Sequence, residues 1–282
     1  MHQQCVMLWA FICALRETHL MRSRFCRFAL IAFLILFPAS LMAAGPQKIS
    51  YVTSTGQTVH GLIYEPAGHG KHPAIVVIHE WWGLDPWIEQ QAQQLAHEGY
   101  VALAVDLYSG KVTTNPRVAR QLDMALKPEE ATANVVGAAH YLAAQKNVDA
   151  RRIGAVGWCM GGGYAALLAV HDAALKAVAI NYGELPQNRA ELAKIHAPVL
   201  GIFGGADPVV TPQEVAQFEQ TMHSLGKPIE IKTYPGAGHA FENPNNRMGY
   251  RAVDAADAQA RMRAFFAREL KVSKKETSRP GE

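Results

Sequence analysis

Residues Gly157-Trp158-Cys159-Met160-Gly161 follow the apolar run Ile153–Val156 and precede Gly162, Gly163 and a further apolar stretch. This is the small-x-nucleophile-x-small pattern of a nucleophile elbow, with Cys where Ser is more usual. A turn that tight from strand to helix leaves no room for side chains two positions either side of the nucleophile, and Gly157 and Gly161 remove both. The same geometry places the sulfur at a helix N-terminus, where amide N–H groups and the helix dipole favour a thiolate. The chemistry expected is nucleophilic attack and a covalent intermediate.

An elbow needs an acid and then a base, in that chain order, in loops at the C-terminal ends of later strands. The run Val199–Phe203 is followed by Gly204-Gly205-Ala206-Asp207-Pro208, which makes Asp207 the acid; a plain turn former is the other reading of that residue. Ile229–Tyr234 leads into Pro235-Gly236-Ala237-Gly238-His239-Ala240-Phe241, which makes His239 the base. Glu242 is too close to His239 in sequence to orient it, and Asp254 and Asp257 belong to an exposed helix face. An oxyanion hole takes the backbone N–H after the nucleophile and one from an earlier strand's loop, here Met160 and Trp81. Glu80 beside Trp81 invites a metal reading, but His79-Glu80-Trp81-Trp82-Gly83 lacks the second His of H-E-x-x-H. With one cysteine beyond residue 44, a thiolate zinc site is not expected either. Trp81, Trp82 and Trp87 read equally as core and as walls of an acyl pocket.

These residues need a parallel sheet to hold them. Ala74–Ile78, Val101–Val105, Ile153–Val156, Ala177–Ile180, Val199–Phe203 and Ile229–Tyr234 read as strands, most of them apolar on both faces. Between them, helical spacing covers Trp87 to His97, Glu129 to Ala144, Met160 to Val170, Thr211-Pro212 to about Ser224, and Val253 to Leu270. Strands alternating with helices predict an α/β fold, a mostly parallel central sheet with helices on both faces, in a single domain over 45–270. Ile49 to Tyr64 adds antiparallel strands at one edge. A polar tail spans 271–282.

Residues 1–44 read as an address. From Met21 the chain carries Arg22, Arg24 and Arg27, then an unbroken apolar run Phe28–Phe37, then small residues, the order of a secretory signal peptide. The run is short of the roughly 20 residues a membrane span needs. Cleavage is expected near Ala43 or Ala44, with no stable membrane anchor afterwards and a periplasmic or secreted product. Residues 1–20 precede an already complete signal, so the start is Met1 or Met21. Cys5, Cys13 and Cys26 lie in this segment, which leaves Cys159 alone and no internal disulfide. The chain's formal net charge of +3 also comes from here, through Arg16, Arg22, Arg24 and Arg27 against Glu17. The remainder is balanced and has no basic run, which removes nucleic acid as a partner.

The set His79–Leu84, Val105–Tyr108, Gly157–Gly162, Gly204–Pro208 and Gly236–Phe241 resembles the dienelactone hydrolase family of the α/β-hydrolase superfamily across residues 45–270. The resemblance implies Cys159, Asp207 and His239 as a triad, with no metal and no cofactor. It implies that Glu80 contacts the resting thiol and helps generate the thiolate. It also places Tyr182 on the site wall, and with Trp82 this gives a pocket. Four residues after His239 the resemblance implies an arginine that holds a substrate carboxylate; this chain has Asn243, and its nearest arginine is Arg247. Arg117 and Arg120 only approximate the family's second arginine. The expected activity is hydrolysis of a small ester or lactone through an acyl-enzyme, by a monomer. The alternatives are a broad carboxylesterase, a binding module on the same fold, and a thiol sensor built on Cys159.

Overall fold

The computed structural model describes residues 45–271. The address segment and residues 272–282 of the polar tail lie outside the described residues. Eight strands form one sheet in the order β1-β2-β4-β3-β5-β6-β7-β8. They are β1 (Gln47–Val52), β2 (Thr58–Tyr64), β3 (His72–Ile78), β4 (Val101–Asp106), β5 (Val148–Trp158), β6 (Ala177–Asn181), β7 (Val199–Gly204) and β8 (Ile229–Tyr234). Strands β1 and β2 pair antiparallel at one edge, β2 pairs antiparallel with β4, and all other pairings are parallel.

Side-chain alternation along the parallel strands feeds two cores, because successive residues of a strand point to opposite faces. In β3, Ala74, Val76 and Ile78 enter one core with Val135, Leu142, Leu168 and Phe218. Ile75 and Val77 enter the other with Trp87, Leu95, Phe265 and Phe266. One face is therefore covered by α3 (Pro128–Ala143), α4 (Met160–His171) and α6 (Pro212–Ser224), the other by α1 (Pro86–His97) and α7 (Ala252–Leu270). Burying one such aliphatic or aromatic side chain is worth about 1.5–3 kcal/mol, so these faces hold the sheet ends in place.

The helix starts follow their capping chemistry. Asp85 accepts the Ile88 amide at 3.0 Å ahead of Pro86. Thr211 and Glu214 close a reciprocal capping box ahead of Pro212. Two short helices were not expected from the sequence, α2 (Pro116–Ala125) and α5 (Arg189–Leu192). Helix α2 is short and buries only Ala119 fully, with Leu122 and the following Leu126 partly buried against the core.

Register fixes the functional end of the sheet. Gly157 of β5 lies opposite Ile78 of β3 and Ile180 of β6, and Gly204 of β7 lies opposite Tyr234 of β8. The loops after β3, β5, β6, β7 and β8 therefore leave the sheet along one edge, at the carboxyl ends of the strands, where open α/β sheets bind ligands.

Candidate active site

Cys159 adopts φ 53 and ψ −121 between β5 and α4. A non-glycine residue held there costs about 1–3 kcal/mol, which the surrounding close packing must offset. A Cβ on Gly157 would lie 1.9 Å from the Gly161 carbonyl oxygen, and one on Gly161 would lie 2.3 Å from that of Ile78. Asn181 at the end of β6 clamps the turn: its carbonyl accepts the Cys159 amide at 3.0 Å, and its Nδ2 donates to Gly157 O at 3.0 Å.

The loops after β7 and β8 bring Asp207 and His239 to the sulfur. His239 Nδ1 lies 2.8 Å from Asp207 Oδ2, and His239 Nε2 lies 3.0 Å from Cys159 Sγ. The other Asp207 oxygen accepts the amides of Val209 at 2.7 Å and Val210 at 3.2 Å. Burial works against the Asp207 charge, yet His239 and these amides hold its pKa below the usual carboxylate value. Burial likewise opposes charge on His239, but the hydrogen bonds to Asp207 and Cys159 prevail and lift its pKa to about 10. The imidazole is thus built to hold a proton between a carboxylate and a sulfur.

Glu80 is buried in the loop after β3, and Asn243 Nδ2 donates to its Oε2 at 2.6 Å. Burial pushes the Glu80 carboxyl up to about 7, against the lowering effect of the Asn243 bond. The sulfur's hydrogen-bond partner is His239 rather than Glu80, so the thiol contact implied by the family resemblance is not the arrangement seen. The physical reason is that Asn243 holds Glu80 while the imidazole takes the sulfur. His79 keeps this loop in place: its Nδ1 donates to Glu80 O at 2.5 Å, and its Nε2 accepts the Leu107 amide at 3.2 Å.

Cys159, His239, Glu80, Trp81, Trp82, Met160 and Tyr182 all line one cavity of about 1550 Å³. Neither the Trp81 amide nor the Met160 amide donates to a turn carbonyl or side chain among the described residues, as an oxyanion hole requires. Trp81 and Trp82 form an edge-to-face pair, with ring centroids 4.9 Å apart, on the cavity wall. Trp87 is core, packed on Trp158 at 5.4 Å. Tyr182, fully buried with φ 38, sets its ring edge-on to His239 at 5.4 Å.

Sequence reasoning missed Asn181 as the clamp of the elbow and Asn243 as the partner of Glu80. An Asn ending an apolar strand beside the nucleophile strand was the available signal for the first. No local signal marks the second. Among the described residues no cluster of three metal-ligating side chains occurs.

The chain matches the Dienelactone hydrolase family over residues 59–270. It is 31% identical over 245 residues to "Putative carboxymethylenebutenolidase" of Salmonella typhimurium, covering 82% of this chain and 89% of that protein. The crystal structure of "Putative Dienelactone Hydrolase" from Klebsiella pneumoniae matches with a TM-score of 0.68 at 27% identity, over 79% of this chain and 99% of that one. A dienelactone hydrolase-like promiscuous phosphotriesterase from metagenomic libraries matches with a TM-score of 0.74 at 23% identity, over 81% and 99%. At that identity the last likeness speaks for the fold alone.

Proposed function

Because the chain belongs to the dienelactone hydrolase family, we propose that it hydrolyses small carboxylic esters or lactones through an acyl-enzyme on Cys159. The observation that supports this most directly is the Asp207–His239–Cys159 line, with its 2.8 Å and 3.0 Å contacts. In the first half-reaction His239 Nε2 already holds the proton it shares with Sγ, and the sulfur attacks the carbonyl carbon while the imidazolium keeps that proton. The Trp81 and Met160 amides take the oxyanion. Collapse breaks the carbon–oxygen bond of the ester, and the departing alkoxide takes the proton back from His239. A water molecule then attacks the thioester with His239 as base, releasing the carboxylic acid and restoring the thiol. Asp207 holds the imidazole tautomer and stabilises the imidazolium. Glu80, half-ionised near neutral pH, assists removal of the thiol proton when substrate displaces the resting contacts.

The test is pre-steady-state product release from a chromogenic short-chain ester. Wild-type protein should give a burst equal to the enzyme concentration, and Cys159→Ala and His239→Ala should give none. Full turnover by Cys159→Ala would remove the assignment.

The order of residues 21–44 supports export and cleavage near Ala43 or Ala44, with the hydrolase acting as a monomer in the periplasm or outside the cell. No helix among the described residues is long and apolar enough to cross a membrane. The N-terminal residue of the protein recovered from the periplasm tests the cleavage, and retention of residue 21 would reject it.

A further inference from the structure

Sheet order divides the cavity about the nucleophile. Strand β5, which leads into Cys159, has β3 on one side and β6, β7 and β8 on the other. The loop with Trp81 follows β3, whereas Asp207 and His239 follow β7 and β8. A departing alcohol takes its proton from His239 Nε2, so its oxygen must come within hydrogen-bond reach of that atom. The alcohol part of an ester held at Cys159 therefore leads away on the side of β7 and β8, and the lining there is what it meets.

Most polar groups on that part of the lining are already engaged. Asn243 donates to Glu80 and accepts the Asn245 amide at 2.9 Å. Asn246 Nδ2 donates to His239 O at 3.1 Å and to Ala240 O at 3.2 Å, and its Oδ1 accepts the Gly249 amide at 3.2 Å. Glu214 is held in the capping box of α6. Two large apolar side chains on the same part of the lining stand in water instead: Val209, 64% exposed, in the loop of Asp207, and Met248, 99% exposed, in the loop of His239. Neither loop is loose. Val209 N donates to Asp207 Oδ1 at 2.7 Å, and the segment around Met248 is tied to the carbonyl of His239 through Asn246 and closed by the Arg251 amide on Phe241 O at 3.0 Å. Scattered exposed hydrophobes need no explanation, but two fixed on one side of a reaction cavity, in the loops of the acid and the base, form a binding surface. Arg247 beside Met248 is exposed, so water and salt screen its charge.

We infer that this side of the cavity is a subsite for the leaving group and takes the alkyl chain of an apolar alcohol, with Val209 and Met248 as specificity-determining residues. The inference rests on the ester-hydrolase reading above and adds the substrate class, acyl esters of apolar alcohols. Room is available, since pockets of roughly 300–1,000 Å³ already enclose drug-sized ligands and this cavity has about 1550 Å³. A fully buried methylene is worth about fourfold in binding, so four added methylenes half covered at an exposed wall give about tenfold.

The experiment measures acid release from ethyl acetate, hexyl acetate and ethyl hexanoate, the last two being isomers with the long chain on opposite sides of the ester. Alkoxide leaving ability is nearly the same throughout, so binding decides the order. Hexyl acetate should exceed ethyl acetate in kcat/KM by about tenfold. In Val209→Thr/Met248→Gln, which keeps the side-chain shapes and the Val209 amide, that ratio should fall towards one, while the ratio of ethyl hexanoate to ethyl acetate stays as in wild type. Turnover of ethyl acetate with no gain for hexyl acetate, a gain that survives in the double variant, or an equal fall for both isomers overturns the inference and leaves the hydrolase reading standing. A larger gain for 6-acetoxyhexanoate than for hexyl acetate gives the subsite to Arg247 and overturns the apolar assignment. No turnover of any ester by folded protein with a reduced thiol overturns the hydrolase reading itself.

A readout without turnover keeps the two separate: the rate at which iodoacetamide alkylates Cys159 in the presence of 1-hexanol or ethanol at equal concentration. 1-Hexanol should slow alkylation of wild-type protein and ethanol should not, and the double variant should lose the protection. No protection by 1-hexanol, or equal protection in wild type and double variant, rejects the subsite whatever the esters do.

Discussion

Asn243 Nδ2 donates to Glu80 Oε2 at 2.6 Å across 163 residues of chain, and this is the hydrogen bond that holds the buried carboxyl group of Glu80. Burial has raised that carboxyl to about 7, and the Asn243 bond keeps it from rising further. The pair therefore sets how much of Glu80 is ionised at neutral pH.

Asn243→Ala should move the acid limb of the kcat/KM profile to higher pH. Removing a donor to the charged form disfavours that form, so Glu80 stays protonated to higher pH. Activity at pH 7 falls and recovers partly on the alkaline side. Loss of the bond also destabilises the ionised state by about 1–3 kcal/mol. A profile that drops uniformly, with no shift of its acid limb, would show that ionisation of Glu80 does not enter the rate.

Glu242 gives a stability prediction with the same physics. It is 1% exposed, and burial together with the nearby charge of Glu80 pushes its carboxyl up to about 8. An acid whose folded-state pKa lies above its unfolded value is more protonated in the fold. Its contribution to stability is complete below the unfolded pKa of about 4.5 and is lost as pH rises through about 8. The melting temperature should therefore decline between those values, and Glu242→Gln should flatten the decline. Parallel wild-type and variant curves would refute this.

Asp207→Asn tests the other end of the triad. The carboxylate accepts from His239 at 2.8 Å and is the first of the groups that raise the imidazole pKa against burial. The amide leaves the shape intact but weakens hold on the tautomer and on the positive charge, an effect worth about 10⁴-fold in kcat for a related triad. We expect a loss of about 10³–10⁴-fold in kcat, with the fall in His239 pKa visible by NMR titration. A loss below tenfold would make Asp207 only a turn-forming residue.

Much of this site was legible because its signals are local. Cys159 is marked by glycines two positions away, and Asp207 and His239 by glycine-rich loops directly after apolar strands. Strands such as Val199–Phe203 and Ile229–Tyr234 stood out for the same reason, while α2 did not, since its few apolar residues, Val118, Ala119 and Leu122, are interleaved with charged and polar ones over a short span. The Glu80–Asn243 bond and the clamp of Asn181 on the Cys159 turn depend on contacts between elements far apart in sequence. Side-chain spacing within any one segment carries no trace of them.

Gly157 and Gly163 form a contrasting pair that tests whether the elbow's geometry, rather than glycine content, maintains the site. A Cβ at residue 157 would sit 1.9 Å from Gly161 O and 2.2 Å from Gly161 C, both backbone atoms that no rotamer change can move. At residue 163, in α4, the nearest atom is Glu184 O of the loop after β6 at 3.4 Å, an ordinary van der Waals contact. Gly157→Ala should cost at least the upper end of the roughly 1–3 kcal/mol of overpacking. That corresponds to a fall in melting temperature of about 6–12 °C for a domain of this size. The Cys159–His239 contact should open with it, so the burst disappears even in protein that remains folded. Gly163→Ala, which relieves a helix of a poor former, should hold or raise the melting temperature. If both variants melt alike, the close approach of Gly157 to Gly161 does not constrain the turn, and the strained φ of Cys159 must be held by the Asn181 hydrogen bonds instead.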